Sequence, residues 1–436
     1  MEPLLVVAYT AAFLFLLRKL SFFHLPAIPI SWLQLAFVLK VLGGIALGLL
    51  YWEYYHDPSS SDTIKFFNDS KFIYDARFSQ PFHFLKMLTG IDGNDPALRP
   101  YYAQMFAWLN TDVLFNDNKT IIRLNTVFRF FSCGYYYVHV VFINFLSFAG
   151  LVALFKALST YCSGRHRLLF LLMFTVPSLA FWGSGVLKDG LLLFEVGFLI
   201  LTFQRLLSGD YRIKTILVFG MSLMLLCFTK LYMIVSVFPG LIAWRLAKNS
   251  SNLRAFYRFV AVYTIFIIAG FNVFRVDDRF DLSAIIYYKQ RNFITQVNDM
   301  KPGSMIEIPT LEYGFLPTLK SAPGAFFRTL WKPSLADNLS NKMVLLAALE
   351  NTFLLLVLAG LLLFYRRKGL PQLLPIHFFS LFVILLIYTL IGITTPVLGA
   401  MVRYKIIALP FLLFLVISSC DSSRLPQQIS WLKDPV

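Results

Sequence analysis

Apolar runs of roughly 15–24 residues recur along the chain, and a helix needs about 20 such residues to cross the hydrocarbon core of a bilayer. The pattern predicts helices at roughly 3–17, 31–52, 134–156, 167–183, 186–204, 213–229, 231–246, 256–275, 343–364, 373–393 and 400–419, about eleven spans. Two long segments, 53–131 and 276–341, contain no spanning run. The tight joins at Gly183–Gly185 and at Lys230 leave a second arrangement open, in which two helices form one kinked or re-entrant element.

The expected class is therefore all-α: a polytopic transmembrane helical protein whose two external segments carry short interfacial helices. Its parts are N-terminal helices over 1–52, an acidic and aromatic external segment over 53–131, and a central bundle over 132–275. A second external segment over 276–341 and C-terminal helices with a short cytoplasmic tail over 342–436 complete it.

Composition agrees. Only 14% of the 436 residues are charged, against about 25% in an ordinary soluble protein, and 58% are apolar, which excludes a soluble enzyme. Mean hydropathy is +0.68. A net charge of +16 would suggest a nucleic-acid partner in a soluble chain. Here the bases follow topology: Arg18, Lys19, Lys156, Arg165, Arg167, Arg205, Arg212, Lys214, Arg245, Lys248, Arg254, Arg258, Arg366, Arg367, Lys368, Arg424 and Lys433 fall in alternate connections or the C-terminal tail. Because cytoplasmic loops accumulate Lys and Arg, this predicts an external N-terminus, a cytoplasmic C-terminus and both long segments outside. Glu2 stands where a signal peptide would carry a basic residue, so the first run is expected to be a retained helix. Cys133, Cys162, Cys227 and Cys420 are scattered and show no metal-ligand spacing.

Most acids lie in the two external segments. The stretch from Asp57 to Asp75 follows a span directly, and as a helix it puts Asp62, Lys65 and Asp69 on one face, with Phe67 and Tyr74 on another. A carboxylate there suits a general base acting on an acceptor hydroxyl; an Asp just before a helix is equally a favoured N-cap. The aromatics of these segments, among them Tyr101, Tyr102, Trp108, Tyr287 and Tyr288, suit sugar stacking as well as interfacial anchoring.

A second constellation runs from Pro177 to Gly190. Asp189 suits the first turn of the next helix, whereas Lys188 at that positive end needs a compensating anion, either Asp189 or a bound phosphate. Glu195 falls deeper on the face of Lys188, where a Glu–Lys pair or a functional acid are both open. A third constellation, from Gly392 to Lys405, carries Arg403 and Lys405 near the external start of the last span. Either they hold a phosphate, for which a guanidinium fork is well shaped, or they snorkel to headgroups. Lys230 has the same two readings.

The Ser61–Phe67 stretch, the Pro177–Asp189 motif and the Gly399–Arg403 segment before Leu409 and Pro410 make the chain similar to bacterial multi-spanning glycosyltransferases of the GT-C type and the polysaccharide-polymerase-like proteins sharing their layout. The resemblance implies a polyprenyl-phosphate-linked sugar donor entering from the membrane. It further implies transfer to a glycan, lipid or protein acceptor on the external, periplasmic face of the bacterial inner membrane. Asp62 is the position matching the base or metal-associated acid of those enzymes, with Asp69 a second candidate; Lys188, Asp189, Arg403, Lys405 and Lys230 are the candidate substrate-binding residues. The acidic loop here follows the second span rather than the first and lacks an Asp-x-Asp pair, so a divalent cation is not indicated by sequence. Two other classes stay open: a polymerase or ligase of lipid-linked glycans, and a transporter or flippase of lipid-linked or anionic solutes using Lys188, Asp189 and Glu195 as a relay.

Overall fold

A computed structural model describes residues 1–54, 61–106, 117–277, 280–337, 341–363, 373–420 and 434. Asp57, Trp108, Arg366, Arg367, Lys368, Arg424 and Lys433 lie outside them. Among the described residues 79% are helical and no strand occurs.

The chain divides into two compact units, Met1–Ile234 with Asp434–Val436, and Val235–Lys433. The helices of the first are α1 (Glu2–Lys19), α2 (Ile30–Leu49), α3 (Asp62–Ser79), α4 (Pro81–Thr89), α5 (Arg99–Tyr102), α6 (Asp117–Ser132), α7 (Tyr136–Ser159), α8 (His166–Thr175), α9 (Pro177–Trp182), α10 (Lys188–Leu207) and α11 (Ile213–Thr229). The division falls inside α12 (Leu231–Ala247), and the second unit continues with α13 (Asn252–Gly270), α14 (Leu282–Met300), α15 (Phe315–Trp331), α16 (Lys342–Leu362), α17 (Pro375–Thr394), α18 (Leu398–Lys405) and α19 (Leu409–Ser419).

Among the described residues each apolar run read from the sequence contains helix, but fewer helices are long and apolar enough to cross a bilayer. Six meet that measure: α2 with its π-helical extension, α7, α10, α13, α16 and α17; a seventh arises if α18 and α19, bent by 59°, count as one broken span. The run at 167–183 is likewise two elements. Pro177 occupies the first turn of α9, and Val176 before it is extended, as steric conflict with a proline ring requires.

In the first unit α10 lies against α7 with backbones nearly touching. A Cβ on Gly197 would stand 2.0 Å from the Gly150 carbonyl oxygen, and one on Gly150 2.3 Å from that of Leu193. α3 and α6 enclose a core that includes Phe66, Ile73, Ile121 and Ile122. The first helix is tied to the bundle at two points: Glu2 Oε1 accepts the Tyr137 backbone N–H at the start of α7 (2.8 Å), and Tyr9 donates its hydroxyl to the Phe131 carbonyl (2.8 Å). In the second unit α15 packs on α17, where a Cβ on Gly392 would reach the Ala325 carbonyl oxygen at 2.0 Å. Arg328 donates to the Gly392 carbonyl and Thr329 to that of Tyr388, each at 2.8 Å.

Candidate functional site

The polar groups of the first unit converge on the first turn of α6. Lys188, the first residue of α10, is buried, and its ammonium donates to Asp117 Oδ2 and Asn118 Oδ1, both at 2.7 Å. A cation at the positive end of a helix is destabilised by the aligned peptide dipoles. Two acceptors from a neighbouring helix offset this, and the ring of Phe66 on α3 flanks the ammonium at 5.8 Å.

Lys119 turns the other way. Its ammonium lies 3.7 Å from the centre of the Tyr102 ring and 3.7 Å from Met105 Sδ, with the side chain almost fully buried. Burial disfavours its charge more than the Asp69 carboxylate favours it, so its pKa falls to about 8. Thr120 donates to the Phe228 carbonyl at 2.9 Å, near the end of α11. Four consecutive residues thus meet α10, the 102–105 region beside α3, and α11.

Asp69 is fully buried on α3, and its Oδ1 accepts the Phe106 backbone N–H at 3.1 Å. Lys65 stands over the Phe106 ring at 5.4 Å, so the expected face of α3 is real: Lys65 and Asp69 meet one residue. Asp62 is half-buried and already helical; Ser61 is the N-cap, which corrects the capping alternative for Asp62. An acid in this first turn is favourably placed against the helix dipole.

Asp189, fully buried, has its Oδ1 3.6 Å from the ammonium of Lys230, itself buried between α11 and α12. Lys188 thus meets Asp117, and Asp189 stands beside Lys230. Glu195 and Lys188 do not pair; Glu195 Oε1 is 2.6 Å from Thr229 Oγ1. A helical spacing of seven residues aligns Glu195 with Lys188 on one face, but the side chain finds its partner across the helix interface.

No protein family, curated protein or solved structure matches this chain significantly. What remains is the chemistry of the residues. Asp69, Lys188, Asp189 and Lys230 are linked through α6 and the ends of α10 and α11, with Asp62 at the head of α3, all in the first unit. Arg403 and Lys405 belong to the second. There Lys405 is buried and donates to Asn351 Oδ1 (2.7 Å) and the Lys332 carbonyl (3.0 Å), while Arg403 is half-buried beside Tyr404. Among the described residues no three His, Cys, Asp or Glu side chains gather as a metal site would.

Two polar residues that the sequence pattern did not single out hold the break before α10. Lys40, buried in α2, donates to the Gly183 carbonyl (2.7 Å) and Ser184 Oγ (3.1 Å), and Asn144 of α7 donates to the Ser184 carbonyl (3.0 Å). Non-helical backbone inside an apolar bundle needs such partners, because nothing else satisfies its carbonyls. The signal was legible: Lys40 is the one charged residue within the apolar run at 31–52. Asp117, Asn118 and Thr229 gave no comparable signal.

Proposed function

We propose that this protein is an integral-membrane glycosyltransferase of the GT-C-like kind, moving a sugar from a polyprenyl-phosphate-linked donor to an acceptor on the external face, with inversion. The observation that carries this reading is the gathering of three buried lysines (Lys119, Lys188 and Lys230) with carboxylates at the start of α6, the start of α10 and the end of α11, beside the acid-rich segment that follows α2. An anionic lipid substrate and a proton-accepting carboxylate are the chemistry such a group suits.

Asp62 takes the acceptor's proton as its oxygen attacks the anomeric carbon, and the bond to the phosphate oxygen breaks. Polyprenyl phosphate is a good leaving group, so charge stabilisation matters more than protonation, and preorganised cations supply it. Lys188 is assigned that role in the first unit; Arg403, in the second, is proposed separately as a contact for lipid phosphate. Lys230, held by Asp189, keeps the end of α11 against α10; Asp69 holds Phe106 in place. Lys405 ties Lys332 to Asn351 within its own unit. The proposed orientation has the N-terminus and both long segments outside, with the remaining apolar helices bringing the span number toward eleven.

The test is transfer from a panel of radiolabelled polyprenyl-phosphate sugars by purified protein in lipid vesicles. Asp62→Asn should abolish transfer and leave binding of synthetic polyprenyl phosphate intact, whereas Arg403→Ala should weaken that binding. Full transfer by the Asp62 variant removes it as the base, and unchanged lipid-phosphate affinity in the Arg403 variant removes Arg403 as a phosphate contact.

A further inference from the structure

The other two buried ionisable residues of α10 meet an opposite charge: Lys188 meets Asp117, and Asp189 meets Lys230. Glu195 does not. It lies two turns into α10, fully buried, within a helix long and apolar enough to span. Among the described residues its carboxyl makes one hydrogen bond, between Oε1 and Thr229 Oγ1 at 2.6 Å, and Oε2 makes none. Thr229 Oγ1 is also 3.0 Å from the carbonyl oxygen of Leu225, one turn earlier in α11.

A hydroxyl has a single hydrogen. Directed at Leu225 O, the acceptor that helical Ser and Thr ordinarily use, it leaves Thr229 Oγ1 only lone pairs to face Glu195. Two acceptor oxygens at 2.6 Å repel unless one bears a proton, and that distance is at the short end for O–H···O bonds. Directed instead at Glu195, the hydroxyl would leave an ionised carboxylate with one hydrogen bond, no cation and a buried, unpartnered second oxygen. An isolated charge in an apolar interior is strongly unfavourable even after relaxation. A neutral acid has neither problem.

We propose that Glu195 is a proton-binding site: a neutral carboxylic acid that donates from Oε1 to Thr229 Oγ1 while Thr229 donates to Leu225 O. Besides Thr229, α11 brings Cys227 within electrostatic reach of the carboxyl. The charged groups next along α10, Lys188 and Asp189, are engaged by Asp117 and Lys230. Because Thr229 directly precedes Lys230, the proton-dependent contact and the Asp189–Lys230 pair join α10 to the end of α11 through adjacent residues. This site does not depend on the reaction proposed above.

Infrared spectroscopy of the full chain in lipid at neutral pH tests it, by difference between the wild type and Glu195→Gln. A carboxylic-acid C=O stretch present in the wild type and lost in the variant is expected; if Glu195→Gln fails to insert, Glu195→Met supplies the same difference. In parallel, dicyclohexylcarbodiimide, an apolar reagent for protonated carboxyls, should modify Glu195. The carboxyl oxygen adds to the central carbon as its proton passes to nitrogen, and the acyl group then shifts to nitrogen as a stable N-acylurea found by peptide mass. Carboxylate bands in the difference spectrum, or a Glu195 peptide left unmodified, would overturn the proposal.

Discussion

Lys119 shows what burial does to one cation in this protein. An unperturbed lysine titrates at 10.5, and this one, enclosed by Tyr102 and Met105, is brought down to about 8. The folded state therefore gives up this proton before the unfolded chain does. Between about pH 8 and 10.5 the unfolded chain binds more protons, so stability rises with pH over that window; below pH 8 the cost of the buried charge is present in full. The midpoint of denaturation in detergent should rise across those pH values in the wild type and rise less in Lys119→Met. Equal slopes would remove Lys119 as their source. Residue identity alone did not reveal this. Lys119 and Lys188 look alike in sequence, and only the acceptors they meet, a ring and a thioether in one case and a carboxylate and an amide in the other, separate them.

At the scale of elements, helix contact is set by glycines and helix breaks by prolines. Gly150 and Gly197 let α7 and α10 approach until their backbones meet. Gly197→Ala must push the helices apart and should destabilise by about 1–3 kcal/mol, the usual cost of overpacking. Around Gly220 of α11 nothing beyond its chain neighbours and the helix's own backbone lies within 4 Å of the place an added methyl would take, so Gly220→Ala should be neutral or stabilise by up to about 1 kcal/mol through helix propensity. Thermal unfolding of the two variants side by side separates packing from propensity, and equal effects would sink the packing account. The apolar pattern reads 167–183 and 400–419 as single helices, although each contains a breaker. Pro177 opens α9, and Pro410 lies in the first turn of α19, so the runs at 167–183 and 400–419 carry their own interruption. Yet Pro239 and Pro323 sit inside α12 and α15 without ending them, and a proline read alone does not say which outcome holds.

For the whole molecule, the arrangement of charge gives a direct test. In the first unit, Glu2 and Phe131 mark one end of the bundle, where α1 meets the start of α7. At the far ends of α7 and α10, Lys156 and Arg205 lie within electrostatic reach of each other, and Lys156 stands over the ring of Phe22 just beyond α1. The proposed orientation puts this basic end inside and the end marked by Glu2 outside. Cys133 is an exposed free thiol beside the start of α7, while Cys162 and Cys420 are buried. In sealed right-side-out vesicles a membrane-impermeant maleimide should label Cys133 without permeabilisation, with mapping by peptide mass. Labelling that appears only after permeabilisation would invert the orientation and put the acidic segment on the wrong side for external transfer.

The sequence by itself determined the helical, membrane-embedded character of the chain, the positions of its apolar helices and the sorting of bases from acids. These follow from transfer free energy and backbone hydrogen bonding, which act on each segment separately. Which helices are broken, and which acid answers which lysine, only the tertiary structure decided. The pairs Lys188–Asp117 and Asp189–Lys230 join residues 71 and 41 positions apart, and Glu195 meets Thr229 rather than the lysine on its own face. Buried charges take the nearest acceptor in space, and that neighbour is supplied by helix packing rather than by spacing along the chain.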